Sequence, residues 1–268
     1  ALRLDRTPAA IADGAGIDGE LGVKIKPYPT ELSPNSIGGS KPTLNCSMNI
    51  IQITPGAGAM FCGGCFRDNA LVAALRKLGH ATTMLPLYLP LTLDEQNQSE
   101  GTPIFFSGIN VYLEQKSALF RNAPEWLHQV LASPLLLKLA SGQASKTRPQ
   151  DLGEMTVSML RGEAGNQARE LAPLIDWIKS NEQPEIISLS NTLLIGLTRE
   201  LKKQLRVPIV CSLQGEDFFL NSLLQPHRDL AWKILAERTA DVDMFIAPSQ
   251  YFAALMSKRL GIPTNRIR

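Results

Sequence analysis

A continuous apolar run, Ile50-Ile51-Gln52-Ile53, opens into Thr54-Pro-Gly-Ala-Gly-Ala-Met-Phe-Cys-Gly-Gly-Cys-Phe66, and an amphipathic segment then runs to Gly79-His80. The pattern predicts a strand, a glycine-rich loop, and a helix over Arg67–Leu78 with Gly79 as its C-cap. Four glycines, Gly56, Gly58, Gly63 and Gly64, fall within nine positions. Glycine lets backbone N–H groups approach a ligand closely, and a helix N-terminus favours negative charge. The chain is therefore expected to build an α/β unit whose first turn receives an anionic, phosphate-bearing ligand.

The alternation continues beyond this unit. Further strands are expected at Thr82–Leu87, Ile109–Leu113, Ile186–Ser190, Ile209–Leu213 and Met244–Ala247, after the first at Asn49–Thr54. Helices are expected at Pro124–Ala140, Asn166–Ser180, Thr192–Gln204, His227–Ala240 and Gln250–Leu260. Several of these strands are short unbroken apolar runs, as befits strands covered on both faces. Helical segments between them imply right-handed parallel crossovers. The expected fold class is therefore α/β, a doubly wound, mostly parallel, Rossmann-like sheet over residues 48–268. Residues 1–47 are rich in Gly, Pro, Ser and Thr with little periodicity, and read as a poorly ordered leader. Met48 reads as the natural start of the domain, and Leu91–Gly165 as an elaboration around the mouth or edge of the sheet.

Composition removes several function classes. The 27 basic and 25 acidic side chains leave a net charge of +2 without a dense basic run, so nucleic acid is not an expected partner. No apolar stretch is long enough to span a bilayer. The most hydrophobic region, Val130–Ala140, contains Pro134 and Lys138 and reads as a buried or lid helix, which leaves peripheral membrane contact open. Four cysteines, Cys46, Cys62, Cys65 and Cys211, are too few for a disulfide framework in a chain of 268 residues. With no basic start leading into an apolar segment, a cytoplasmic location is expected.

In a doubly wound sheet, ligands bind beyond the carboxyl ends of the strands. That rule selects the glycine-rich loop, Ser190-Asn191, Gln214-Gly215-Glu216-Asp217, and Pro248-Ser249. Each also has a plainer reading. Ser190 or Asn191, and Ser249, suit helix N-caps, and Glu216-Asp217 suits a solvated turn. Cys62-Gly-Gly-Cys65 at a helix start suits thiol exchange, and has half the spacing of a zinc ribbon. No second such pair exists, and His80, His128 and His227 show no ligand spacing, so no metal site is expected. A dinucleotide fingerprint fails because Phe61 stands where its third glycine belongs, and a P-loop fails for want of Gly-Lys-Ser/Thr.

Taken together, Ile50–Thr54, Gly63-Gly64, the segment Asp68-Asn-Ala-Leu-Val-Ala-Ala-Leu-Arg-Lys-Leu and Gly79-His80 resemble the N-terminal lobe of retaining family 4 glycosyltransferases of GT-B architecture. Pro184–Asn191, Val207–Asp217, Asp243–Gln250, Leu260–Pro263 and Arg266–Arg268 resemble later segments of that lobe in the same order. The resemblance implies transfer of a sugar from a nucleotide-sugar co-substrate to an acceptor with retention, a hexosyltransferase type of activity, and no cofactor or metal. It implies substrate-binding parts for Gly63, Gly64, Asn191 and Ser249, and makes Glu216 and Asp217 the catalytic candidates. The family often carries histidine in the loops matching Ser190-Asn191 and Gln214-Gly215-Glu216; this chain has none there. The resemblance also implies a C-terminal donor-binding lobe beyond Arg268, without which no turnover is expected. A non-catalytic phosphate-binding module and a CxxC redox or metal protein are the alternative expectations.

Overall fold

The computed structural model describes residues 47–124 and 152–268, all within a unit spanning Asn45–Arg268. The leader expected over 1–47 (Ser47 excepted), Cys46, and the helix expected over Pro124–Ala140 (Pro124 excepted) lie outside the described residues.

Five strands form one sheet in the order β2-β1-β3-β4-β5. They are β1 (Asn49–Thr54), β2 (Ala81–Pro86), β3 (Ile186–Leu189), β4 (Ile209–Ser212) and β5 (Met244–Ile246). Every pairing is parallel. Ile51 faces Thr83 on β2 and Ile187 on β3, Ile187 faces Ile209, and Cys211 faces Phe245. Ile51, Ile53, Ile187, Leu189, Ile209, Cys211 and Phe245 are all buried, the pattern of a sheet covered on both faces. Beyond β5, Ile267 bridges Phe245 in parallel; the Arg268 amide donates to the Phe245 carbonyl, and the Ala247 amide donates to that of Arg268.

Nine α-helices are described: α1 (Gly63–Lys77), α2 (Gly108–Lys116), α3 (Ala118–Arg121), α4 (Gly153–Arg161), α5 (Leu171–Asn181), α6 (Thr198–Leu205), α7 (Glu216–Ser222), α8 (His227–Arg238) and α9 (Gln250–Leu260). The chain moves outward from β1 to β2, then returns past β1 to β3 and on to β5. Right-handed crossovers therefore place α1 on one face and the helices of the later crossovers on the other. On that second face α4 packs on α8 and α5 on α6. Leu174 and Ile178 of α5 are fully buried, each stabilising the fold by about 1.5–3 kcal/mol relative to exposure.

The elements depart from expectation where local patterns were ambiguous. Ile109–Leu113 is part of helix α2, not a strand. Ser107 caps the helix by accepting from the Asn110 amide at 3.3 Å, and Ser107, Asn110, Val111 and Glu114 are buried, a helical rather than a two-residue spacing. α4 and α7 were not anticipated. The segments expected to be single helices from Asn166 and Thr192 each begin as a 3-10 turn, Ala168–Glu170 and Thr192–Leu197, before α5 and α6. α4 meets the second of these turns backbone to backbone. A Cβ on Gly196 would lie 2.0 Å from the Met159 carbonyl oxygen, and one on Gly162 2.0 Å from that of Gly196. Beside this contact, Glu163 binds Arg199 at 2.9 Å and Arg238 at 2.8 Å.

Candidate functional site

The direction of chain travel reverses at β1, so the crevice between the carboxyl ends of β1 and β3 is the ligand position that doubly wound topology provides. Two segments meet there: the start of α1, following β1, and Ser190-Asn191, following β3.

The glycine-rich segment divides into two parts with different work. Gly56 (φ +73°) lies so close to the segment after β2 that a Cβ would sit 1.7 Å from the Leu89 carbonyl oxygen. The Gly58 amide donates to Pro90 at 2.9 Å, and the Gly58 carbonyl accepts from the Thr92 hydroxyl. These two glycines fasten the loop to its neighbour. Gly63 and Gly64 are not loop residues; they form the first turn of α1, which begins four residues before the expected Arg67. Cys62 is the N-cap, in extended conformation, and its sulfur accepts the Cys65 amide at 3.4 Å. As the first amides of a helix, those of Gly63 and Gly64 have no intrahelical acceptor and carry the positive end of its dipole.

The next turn of α1 anchors this end to the sheet. Asp68 is fully buried, accepting from the Thr54 hydroxyl at 2.8 Å and from Arg67 Nη2 at 2.7 Å. The same Nη2 reaches the Ser190 carbonyl at 3.1 Å, so Arg67 spans the crevice while its side chain stays 40% exposed. Asn69 holds the segment after β2, donating to the Gln96 carbonyl at 3.0 Å and accepting from the Gln98 amide at 2.8 Å. The buried stripe of α1 thus reads Cys65, Asp68, Asn69, Val72. Neither Arg67, Asp68 nor Asn69 was singled out from the sequence. The available signal was a charged pair followed by Asn at the start of an otherwise apolar helix face.

The loops after β3 and β4 are bound into one body. Gln214 Nε2 donates to both the carbonyl and the hydroxyl of Ser190, the latter at 3.1 Å. Glu216 is buried, with Oε1 accepting the Thr192 amide and Oε2 the Gln214 amide, both at 2.8 Å. Gly215, at φ +83°, supplies the left-handed turn that points α7 away from β4. Glu216 therefore joins two loops through both carboxylate oxygens. Asp217, in the same first turn, is half-buried. Asn191 and Ser249 are the N-caps the plainer reading expected, accepting from Leu193 at 3.0 Å and from Phe252 at 3.2 Å. Ser249 follows β5, two strands away from the crevice.

Exposed apolar side chains stand on the same end of the sheet. Met60 and Phe61 follow β1, Phe218 follows β4 and Tyr251 follows β5; Phe61 and Phe218 are 73% and 84% exposed. Phe61 stacks on Phe66, ring centres 5.9 Å apart. Away from this end, His80 accepts the Met48 amide at Nδ1 (3.2 Å), the structural place between helix and strand expected for it. Among the described residues, no three His, Cys, Asp or Glu side chains are grouped to hold a metal ion.

Cys62 and Cys65 are free thiols with opposite proton affinities. The hydrogen bond from the Cys65 side chain, helped by the Cys65 and Gly64 amides, draws the Cys62 pKa down to about 6 against the opposing effects of burial and Asp68. The Cys65 thiol is pushed up, chiefly by that same hydrogen bond and then by burial. Burial likewise raises Cys211.

Fold and crevice together define an α/β domain of the doubly wound type with helix amides at its switch point. Residues 153–268 match the family model described as Glycosyltransferase Family 4. The match supports a family 4 glycosyltransferase-type domain over this part of the chain, from α4 through β3, β4 and β5, in line with the resemblance. β1, α1 and β2 precede the matched span and complete its sheet. No curated protein matches the chain.

Proposed function

We propose that this chain forms the acceptor-side lobe of a retaining hexosyltransferase that moves a sugar from a nucleotide diphosphate sugar to an acceptor hydroxyl. The observation that carries the reading is the first turn of α1 facing Ser190-Asn191 across the switch-point crevice of a glycosyltransferase-type sheet. As the bond from sugar to diphosphate breaks, negative charge grows on the leaving oxygens. Preorganised amides oppose that charge without having to reorient. Gly63 and Gly64 supply such amides, and the exposed part of the Arg67 guanidinium adds positive charge beside them.

The remaining candidates take graded parts. Asp217 orients the acceptor hydroxyl. Glu216 acts through the two loops it joins and is a positioning residue. Asn191 and Ser249 accept their capping bonds through oxygen, which leaves the Asn191 Nδ2 and the Ser249 hydroxyl hydrogen to donate outward. The exposed rings at this end offer flat apolar surface to the C–H face of a sugar. Donor contacts from a second, nucleotide-binding lobe complete the reaction.

The test is sugar transfer by the transferase that carries this chain, assayed over a panel of nucleotide sugars, with product configuration read by NMR. Transfer with retention is expected, without added metal. Gly64→Val places a Cβ 3.0 Å from Gln214 Oε1 and crowds the amides. It is expected to cut turnover about 100-fold or more with the fold intact, in line with loss of a preorganised donor. Normal turnover in that variant removes the role of the α1 turn. Phosphate binding with no transfer from any nucleotide sugar makes the domain a binding module instead.

A further inference from the structure

The pair Cys62 and Cys65 is not used by the transfer reaction, yet its geometry is specific. Cys62 is the half-exposed N-cap of α1, and its sulfur accepts the Cys65 amide at 3.4 Å. Cys65 lies one helical turn away and is 1% exposed. The two intervening residues are glycines, and a Cβ on Gly63 would meet nothing within 4 Å. The Cys62 residue is partly exposed, and its sulfur sits at a helix N-terminus that favours an anion; Cys65 is buried.

We propose that Cys62 and Cys65 form a reversible dithiol–disulfide site that takes a small-molecule disulfide as its oxidant. The Cys62 thiolate attacks one sulfur of the oxidant, RSSR, forming a Cys62–SR mixed disulfide and releasing RS⁻. Cys65 then loses its proton and attacks the Cys62 sulfur, closing the Cys62–Cys65 bond and expelling the second RS⁻. The protein loses two electrons and two protons, and RSSR leaves as two RSH. The order follows from access and charge. A Cys62 thiolate near pH 7 is the stronger nucleophile present, its pKa lying at about 6. Once Cys62 carries the mixed disulfide, the negative sulfur that held the Cys65 proton is gone, and the buried thiol ionises more readily. Closing the bond withdraws the Cys62 sulfur from its capping position, so the same step rebuilds the turn that holds the Gly63 and Gly64 amides. The inference goes beyond the transferase reading and stands without it.

The experiment uses the full chain in a Cys46→Ser background, with oxidised glutathione as probe and intact-mass and peptide mapping as readout. Iodoacetamide is expected to label Cys62 about tenfold or more faster than Cys211 at pH 7, with the Cys62 rate falling as pH drops through about 6. Oxidised glutathione is expected to yield a Cys62–Cys65 disulfide that a reductant reverses. Cys65→Ser is expected to stop at Cys62 carrying glutathione, and Cys62→Ser to leave Cys65 unreacted. Circular dichroism distinguishes loss of reactivity from loss of fold in the variants, and the wild-type kinetics stand apart from both. Labelling of Cys62 no faster than Cys211, an oxidised product in which Cys62 pairs with Cys211, or stoichiometric zinc that blocks both thiols would each overturn the proposal.

Discussion

Replacing Glu216 separates a positioning part from a chemical one. Its carboxylate accepts two backbone amides, those of Thr192 and Gln214, each at 2.8 Å. Glu216→Ala leaves both donors without their acceptor. A buried donor left unpaired costs about 1–3 kcal/mol. The Thr192 amide lies in a fully buried residue and the Gln214 amide in a half-buried one, so together they give about 2–4 kcal/mol. For a domain of this size that is a fall in melting temperature of roughly 4–16 °C. Glu216→Gln keeps one acceptor oxygen but turns an NH2 group toward the other amide, so about half the loss is expected. Urea unfolding of the two variants measures the stability, and transfer assays well below their melting points measure the activity. The expected activity loss tracks the stability loss, larger in Ala than in Gln, because the two loops drift apart. Two variants within about 0.5 kcal/mol of wild type yet devoid of turnover would refute this reasoning and make Glu216 a chemical participant.

Gly56→Ala is expected to destabilise the domain by about 2–6 kcal/mol, combining backbone strain at φ +73° with a Cβ built 1.7 Å from the Leu89 oxygen; urea unfolding checks it, and a loss under 1 kcal/mol would show that the two loops separate easily. Glu163 is opposed by burial but held below the ordinary carboxylate value by Arg238 and Arg199. Its contribution to stability is therefore complete above that ordinary value and is lost as pH falls through its lowered folded-state pKa. The acid limb of a stability–pH profile should flatten in Glu163→Gln, measured by thermal unfolding at stepped pH.

Elements with strong local signals were legible in the sequence. β1 and α9 fall at their expected limits, Asn49–Thr54 and Gln250–Leu260, because an unbroken apolar run and a Ser cap with a glycine stop are short-range features. Ile109–Leu113 misled because five alternating residues fit a strand as well as a helix, and only the Ser107 cap with its buried partners one turn on decides between them. The crevice was legible as a position, since strand ends in a doubly wound sheet are fixed by topology. Its internal wiring was not. Thr54 to Asp68, Arg67 to Ser190 and Gln214 to Ser190 join residues from separate elements, and no spacing along the chain announces them. The division of the glycine-rich segment into a packed part and a helix start was also hidden, because Gly56 and Gly58 answer to Leu89 and Pro90, more than thirty positions away.

The bridge between Phe245 and Ile267 has one more consequence. A sheet's outermost strand offers bare donors and acceptors to any passing chain, and here β5 turns that side toward Ile267 and Arg268. Ile246, at the tip of β5, is 48% exposed beside it. Losing that cover would leave a sticky ribbon, and molecules so altered would tend to clump through their open flanks.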